Sequence, residues 1–392
     1  MKKLLFIIDS LCIGGAEKSL VTLLNQIDFQ KYQIDLMILS GKGDLINLLP
    51  KQVNLIQPPK YFQFLKERKG SNKQFLFKCY RIKTSVNLRL NNLKSKPLHT
   101  EQVVYANIKR LIKPLSKVYD VAIAYSQGMP TYYVSDKISA RKKLAWVNTD
   151  YVNTLYDKEL DFESYKKIDR IVTVSNNTNN SMANLRPEYK YKTHLIKDII
   201  DPAIIIKLAN KFIVPEYGHS ELNILSVGRL DKVKSYDKAV KVAKLLSDKS
   251  VKFKWFIIGE GPDRQRIEKY INDYKLNENI KLLGKKSNPY PYMKHCDIYV
   301  QTSIKEGFGL TICEAKILKR PIVCTNFPTA KEIINNEIDG LIVEHNIESI
   351  FTGVLRFIED SNFAMNINDN LIRQKPYSSI DQIEKFYALT EG

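Results

Sequence analysis

Disulfides, structural zinc and a membrane-spanning helix all lack support in this sequence. Its five cysteines, Cys12, Cys79, Cys296, Cys313 and Cys324, are odd in number and scattered, with no CxxC pair and no histidine at ligand spacing. That pattern excludes a disulfide framework and fits a reducing compartment. No window approaches about 18 uninterrupted apolar residues, so no bilayer span is predicted. The N-terminal run LLFII stops at Asp9, short of the roughly seven residues of a signal-peptide core, and MKKLLFIIDS is predicted to be a buried first strand. No Asp-x-Asp metal motif stands between a strand and its loop. GxGxxG with an acid about twenty residues further on is also absent, which excludes the dinucleotide fingerprint. His99, His194, His219, His295 and His345 stand at no metal spacing.

Acidic residues are scarce relative to basic ones: 42 Asp and Glu against 61 Lys and Arg leave a net charge of +19 over 392 residues. The excess is local. Between Lys60 and Lys117 there are fifteen Lys/Arg against Glu67 and Glu101 alone, so this segment holds thirteen of the nineteen net charges. Tyr61, Phe62, Phe64, Leu65, Phe75, Leu76 and Phe77 are interleaved with them. A solvated face and an anionic membrane surface both fit that mixture, and it is weighed against nucleic acid. Hydrophobic residues, at 44%, suffice for an ordinary core, and the length suggests two domains.

The periodicity supports that division. KKLLFIID, YQIDLMILS, VNLIQPP, YDVAIAYS, KKLAWVNTD, IDRIVTVSN and THLIKDIID are short apolar runs suited to a parallel sheet buried on both faces. AEKSLVTLLNQI, after the glycine turn SLCIGG, has helical apolar spacing, and the basic segment reads as helices interrupted at Pro97 and Pro114. From Pro202 to His219 the pattern weakens, through a short helix (IIIKLAN) into the loop VPEYGHS, the predicted interdomain linker. A second series then runs through ELNILSVGRL, FKWFIIGEG, NIKLLGKK, CDIYVQTS, RPIVCTN and GLIVEHN. The expected architecture is α/β, two tandem Rossmann-like domains facing across a cleft: residues 1–205, residues 216–375, and a C-terminal helix in 376–392 packing back on the first domain. Ligands of such sheets lie at the carboxyl ends of the strands.

Three segments carry candidate chemistry. In SVGRLDKVKSYDKAV, Gly228 ends a strand, and Arg229, Lys232 and Lys234 precede a helix starting near Ser235. Cations beside the positive end of a helix dipole suit a diphosphate. FIIGEGPDRQRI runs from a strand into Gly259, Glu260, Gly261 and Pro262; its glycines serve either a tight turn or a ligand contact. In EGFGLTICE, Gly307 and Gly309 let the backbone approach a ligand, with Glu306 in the loop and Glu314 one turn into the next helix. Ionised carboxylates so placed accept hydrogen bonds from hydroxyl-rich ligands.

Taken together, GGAE (Gly14 to Glu17), GRLDKVKSYD (Gly228 to Asp237), GEGPDR (Gly259 to Arg264), LLG followed by NPYPYMKHCDIYV, and EGFGLTICEA (Glu306 to Ala315) resemble, in order and spacing, the family 4 glycosyltransferases. These are retaining enzymes of the GT-B fold. The resemblance covers nearly the whole chain and is weakest across the basic segment. It implies that the first domain binds acceptor and the second the nucleotide sugar. Arg229 and Lys234 would hold the donor diphosphate and, with Glu306, form the catalytic set. Glu314 would take the ribose hydroxyls, and Glu306 with the backbone of Phe308, Gly309 and Leu310 the transferred sugar and phosphate. Gly14, Gly15 and Gly228 would line the donor site, and the base would lie near Lys285. Two fixed cations and a helix N-terminus can stabilise a diphosphate leaving group, so neither metal nor cofactor is expected beyond the donor, a UDP-sugar.

Departures from the family pattern fall at three positions. Asn148 stands where many relatives have His, keeping hydrogen bonding and losing proton transfer. Asp150 is the nearest ionisable neighbour, and both are candidate acceptor or sugar contacts. Ser235 replaces a usual Gly, and Asp198 a common Asn. The expected activity is transfer of a hexose or N-acetylhexosamine to a polyprenyl-diphosphate-linked glycan of a bacterial surface polysaccharide. The expected location is cytoplasmic, peripheral at the anionic inner face of the plasma membrane, with no nucleic-acid partner. A sugar-nucleotide epimerase of the same architecture and a non-catalytic sugar-nucleotide-binding subunit are the rival readings.

Overall fold

The computed structural model describes residues 1–41, 43–66, 75–218, 221–375 and 377–391. Glu67, Arg68, Lys69 and Lys73 of the basic segment, His219 of the linker, and Pro376 and Gly392 of the C-terminal range lie outside the described residues. The chain forms two units, Met1–Ile200 with Ser379–Gly392, and Asp201–Ser378.

The first unit alternates strands and helices in chain order: β1 (Lys2–Ile8), α1 (Gly15–Gln26), β2 (Tyr32–Ile38), β3 (Asn54–Ile56), α2 (Lys60–Lys66), α3 (Phe75–Asn92), α4 (Thr100–Ile108), β4 (Val118–Ala124), α5 (Met129–Lys137), β5 (Ser139–Val147), α6 (Lys158–Tyr165), β6 (Arg170–Thr173), α7 (Asn176–Leu185) and β7 (Thr193–Leu195). All seven strands run parallel in the order β3-β2-β1-β4-β5-β6-β7. Leu4 to Ile8 and Val121 to Ala124 are buried without interruption. That is why the central strands read as apolar runs rather than alternations.

The second unit holds α8 (Pro202–Ala209), β8 (Leu222–Val227), α9 (Tyr236–Asp248), β9 (Phe253–Ile258), α10 (Arg264–Asp273), β10 (Ile280–Gly284), α11 (Tyr290–His295), β11 (Ile298–Gln301), α12 (Leu310–Ile317), β12 (Ile322–Thr325), β13 (Leu341–Val343), α13 (Ile347–Glu359) and α14 (Ser361–Arg373). Its six strands are parallel in the order β10-β9-β8-β11-β12-β13. Helix α9 buries Tyr236, Ala239, Val240, Ala243 and Leu246, the stripe spacing of a helix packed on a sheet.

The final helix, α15 (Ile380–Glu391), belongs to the first unit. Phe386, fully buried, stacks on Phe6 at 6.0 Å between ring centroids and tilts against Trp146 at 6.3 Å. The Ile200 N–H donates to Ser379 Oγ at 2.9 Å, and Lys197 N–H to Gln382 Oε1 at 2.7 Å.

Two expectations shift. The segment read as the start of the linker is α8, an integral helix of the second unit: it buries Ile205 and Ala209, and its Leu208 carbonyl accepts from Asn288 Nδ2 at 2.8 Å. The first unit accordingly ends at Ile200 rather than 205. Among the apolar residues of the basic segment, Tyr61, Phe62 and Phe64 are core residues, while Leu65, Phe75 and Leu76 are exposed.

Candidate active site

In the second sheet β8 lies between β9 and β11, so the chain order reverses at β8/β11 and the loops leaving these two strands part. After β8, Asp231 caps a single 3-10 turn, Lys232–Lys234: its Oδ1 accepts from the Val233 and Lys234 N–H groups at 3.1 and 3.2 Å. After β11, the second loop is tied to the first. Ile304 N–H donates to the Val233 carbonyl at 2.8 Å, and Thr302 Oγ1 to the Lys234 carbonyl at 2.7 Å.

This stitching joins two side chains 72 residues apart. Lys234 Nζ donates to Glu306 Oε1 and Oε2 at 2.6 and 2.7 Å. The ammonium and carboxylate are only 18% and 12% exposed. Gln301 Nε2 and Ser303 Oγ each donate to Glu306 Oε1 at 2.6 Å, so the carboxylate is held from the strand end as well. A Cβ at Gly228 would lie 3.3 Å from Lys234 Cε and 2.9 Å from the Tyr236 hydroxyl, so glycine there leaves room for the lysine stem. Arg229 does not join this pair; its side chain is 70% exposed, 3.9 Å from Asp231.

Ser235, between the turn and α9, has φ 51° and ψ 42°, the left-handed region that costs a β-carbon-bearing residue roughly 1–2 kcal/mol. That explains why glycine is usual there. Here the serine hydroxyl is bonded to the Lys232 carbonyl at 3.3 Å and to His345 Nε2 at 3.2 Å.

A third loop backs the first. The Leu230 N–H donates to the Glu260 carbonyl at 3.1 Å, and Asp263 N–H to the Leu230 carbonyl at 2.9 Å. Cβ atoms at Gly259 and Gly261 would lie 1.8 Å from the Gly228 oxygen and 2.2 Å from the Leu230 oxygen. Both GEG glycines are therefore packing devices that admit the backbone of the Arg229 loop. Helix α12 starts after Gly309 at φ 102°, and its first N–H groups have no partner inside the helix. Glu314, on its second turn, is 2% exposed and accepts from the Tyr290 hydroxyl at 2.8 Å. Lys285 follows β10, two strands from β8, and is exposed.

In the first unit, Gly14 caps α1 and Gly15 begins it, beyond the carboxyl end of β1. Asn148 follows β5 directly; its N–H donates to Gln127 Oε1 at 3.1 Å and its Nδ2 to the Tyr125 carbonyl at 2.7 Å. The Asp150 Oδ2 accepts from Asn153 Nδ2 at 2.7 Å. Asn148 Oδ1 and Asp150 Oδ1 are buried, with no hydrogen-bond partner among the described residues. The loop is pinned because the Tyr151 hydroxyl donates to buried Asp161, which also accepts from Tyr132 at 2.5 Å and Gln102 at 2.7 Å. Burial pushes the Asp161 carboxyl up, against those donors. Burial also raises Glu101, near the start of α4, to about 7, opposed by the Met129 N–H it accepts at 2.8 Å.

Residues 210–374 match the family of glycosyl transferases group 1. The second unit is a group 1 glycosyltransferase domain. The chain is 28% identical over 363 residues, 92% of its own length and 91% of its relative's, to the N-acetylgalactosamine-N,N'-diacetylbacillosaminyl-diphospho-undecaprenol 4-alpha-N-acetylgalactosaminyltransferase of Campylobacter jejuni. It is also 28% identical over 200 residues to the poly(ribitol-phosphate) alpha-N-acetylglucosaminyltransferase of Staphylococcus aureus, covering 50% of this chain and 40% of that protein. Among solved structures, Anabaena HepE in complex with UDP and glucose superposes with a TM-score of 0.71 over 100% of both chains at 14% identity. That likeness places the chain in the GT-B fold class.

Within this glycosyltransferase domain, Gly228, Arg229, Lys234, Glu306, Phe308, Gly309, Leu310 and Glu314 stand on the loops at the β8/β11 edge or on the helix that follows. Lys285 lies off that edge, and Gly14, Gly15, Asn148 and Asp150 belong to the first unit. Sequence reasoning missed Asp231, Gln301, Ser303, Tyr290 and His345. Asp231 three residues before Lys234 is a capping signature that could have been read. Gln301 and Ser303, two apart at a strand end, share a face. Nothing local marks Tyr290 for Glu314 or His345 for Ser235.

Proposed function

We propose that the chain is a retaining, metal-independent glycosyltransferase of the family 4 type, moving a hexose or N-acetylhexosamine from a UDP-sugar to a lipid-linked glycan at an anionic membrane surface. The observation that carries this reading is the Lys234–Glu306 pair, held by Gln301, Ser303 and Thr302 at the sheet's switch point beside the α12 N-terminus. A fixed cation and unpaired helix N–H groups suit the charge that develops on a departing diphosphate.

In this reading Lys234 and the exposed Arg229 take the diphosphate oxygens, with the N–H groups of Phe308, Gly309 and Leu310. Glu306 orients Lys234 and accepts from a sugar hydroxyl. Glu314 takes the ribose and Lys285 lies toward the base. The bond from sugar C1 to the phosphate oxygen breaks with its electron pair going to UDP. The acceptor oxygen bonds C1 on the same face, and its proton passes to the leaving phosphate. Gly14, Gly15 and the unpartnered oxygens of Asn148 and Asp150 are the first unit's candidates for acceptor contacts. The undecaprenol-linked acceptor in the Campylobacter relative's name supports the lipid-linked acceptor, and the UDP complex of HepE supports the donor. The test is proton NMR of the product made from an α-linked UDP-sugar in the presence of EDTA. An α-linked product at an undiminished rate is expected; a β-linked product removes the retaining assignment, and loss of activity removes metal independence.

A further inference from the structure

Helix α3 has its polarity reversed. Of the side chains packed toward the first unit, Phe77 meets Tyr61 and Phe64 at 5.7 and 5.6 Å between ring centroids. The others are largely polar. Thr84 Oγ1 donates to the Tyr80 carbonyl at 2.7 Å, Asn87 Nδ2 to Asn107 Oδ1 at 2.7 Å, and Asn91 exchanges two bonds with the Leu98 backbone at 2.9 Å. Thr84 and Asn91 are buried. The outward residues of the helix are Phe75, Cys79, Ile82, Val86 and Leu90, all exposed, from 47% at Val86 to 74% at Phe75, and the turn that follows exposes Leu93 as well. At 3.6 residues per turn the five on the helix fall within an arc of about 80°.

The shoulders of this stripe are cationic. On the same wheel Lys78 and Arg89 flank it on one side and Lys83 on the other, and no Asp or Glu occurs from Phe75 to Thr100. A continuous exposed apolar stripe requires a cover. A second copy of the chain would bring two faces of the same positive sign together. Among the described residues no helix is long and apolar enough to cross a membrane, so this one can lie on a bilayer but not span it. We propose that α3 is a membrane-docking helix that rests in the headgroup plane of an anionic bilayer. Its Phe75–Leu90 stripe sits at the acyl boundary, and Lys78, Lys83 and Arg89 lie on lipid phosphates. The partly buried Phe77, with Tyr61 and Phe64, fixes the helix to the first unit's core; those α2 aromatics are the footing and not the membrane face.

This deepens the membrane-surface part of the proposed function and rests on it. The test is co-sedimentation of the full chain with vesicles of phosphatidylcholine plus phosphatidylglycerol, and of phosphatidylcholine alone. The parent is expected to partition onto the anionic vesicles only. The triple variant Ile82→Gln/Val86→Gln/Leu90→Gln should lose at least about tenfold in partition, with its circular dichroism and UDP binding unchanged. Lys78→Gln and Arg89→Gln should each lose about fivefold. Triple-variant binding equal to the parent's overturns the proposal. So does a lipid-free dimer, seen by analytical ultracentrifugation, that the same triple variant dissociates. Transfer to a detergent-solubilised acceptor, measured in parallel, separates failure of docking from failure of the glycosyltransferase reading, because neither outcome affects the other measurement.

Discussion

Replacing Gly261 with alanine should unseat the donor loop without touching any donor-binding side chain. The new Cβ would stand 2.2 Å from the Leu230 oxygen, 2.7 Å from its carbonyl carbon and 2.8 Å from its nitrogen. All three are backbone atoms, so no side-chain rotation relieves the clash. The Arg229 loop must move about 1 Å to restore van der Waals contact. That movement strains the Leu230 N–H to Glu260 and Asp263 N–H to Leu230 bonds, each contributing about 1 kcal/mol. Overpacking adds about 1–3 kcal/mol, so the expected loss is about 3–5 kcal/mol, and a fall in Tm on the order of 10 °C for a unit of this size. Differential scanning fluorimetry gives the Tm and calorimetric titration the affinity for UDP, which should fall in parallel. Gly218→Ala is the control, since its Cβ would come no nearer than 3.7 Å to Glu221. A Gly261→Ala protein that melts with the parent and binds UDP equally would refute the close-approach argument.

Burial raises the Asp198 carboxyl to about 7, so the folded chain holds a proton there that the unfolded chain releases near its ordinary value of 3.8. The sign follows: stability is lost as pH rises from about 4 to 7, by up to about 1.4 kcal/mol per pH unit, and levels off above 7. Asp198→Asn should remove that slope and be the more stable protein at pH 8, which urea denaturation at several pH values would check; an unaltered slope would contradict it. Ser235→Ala should cost about 1–3 kcal/mol, because it keeps the left-handed backbone and loses the bonds to Lys232 and His345. Ser235→Gly should cost less, since glycine relieves the backbone. An alanine variant as stable in urea as the glycine variant, or more so, would show that the strain is not borne at this residue.

The two sheets were legible because a parallel strand covered on both faces is written as a continuous apolar run, as in LLFII and VAIA, and those runs need no long-range information. The helix IIIKLAN was equally visible, but not which unit it packs against, because Leu208 finds Asn288 across 80 residues. The facing of the aromatics in the basic segment was not legible for a related reason. Composition gives the number of rings and not the face on which each lies: Tyr61, Phe62 and Phe64 turn inward, and Phe75 outward. In the site, the pairing of Lys234 with Glu306 is encoded by the loops each follows. The choice between turn and ligand contact for GEG was not local, since the clash that demands glycine comes from Gly228 and Leu230.

The most direct measurement is transfer itself: mass spectrometry of a polyprenyl-diphosphate-linked saccharide after incubation with a panel of UDP-sugars and the purified chain. The account predicts that one donor adds a single hexose or N-acetylhexosamine, and that Lys234→Ala lowers the rate by about 100-fold or more. No mass gain with any donor, or a Lys234→Ala enzyme as fast as the parent, would contradict it.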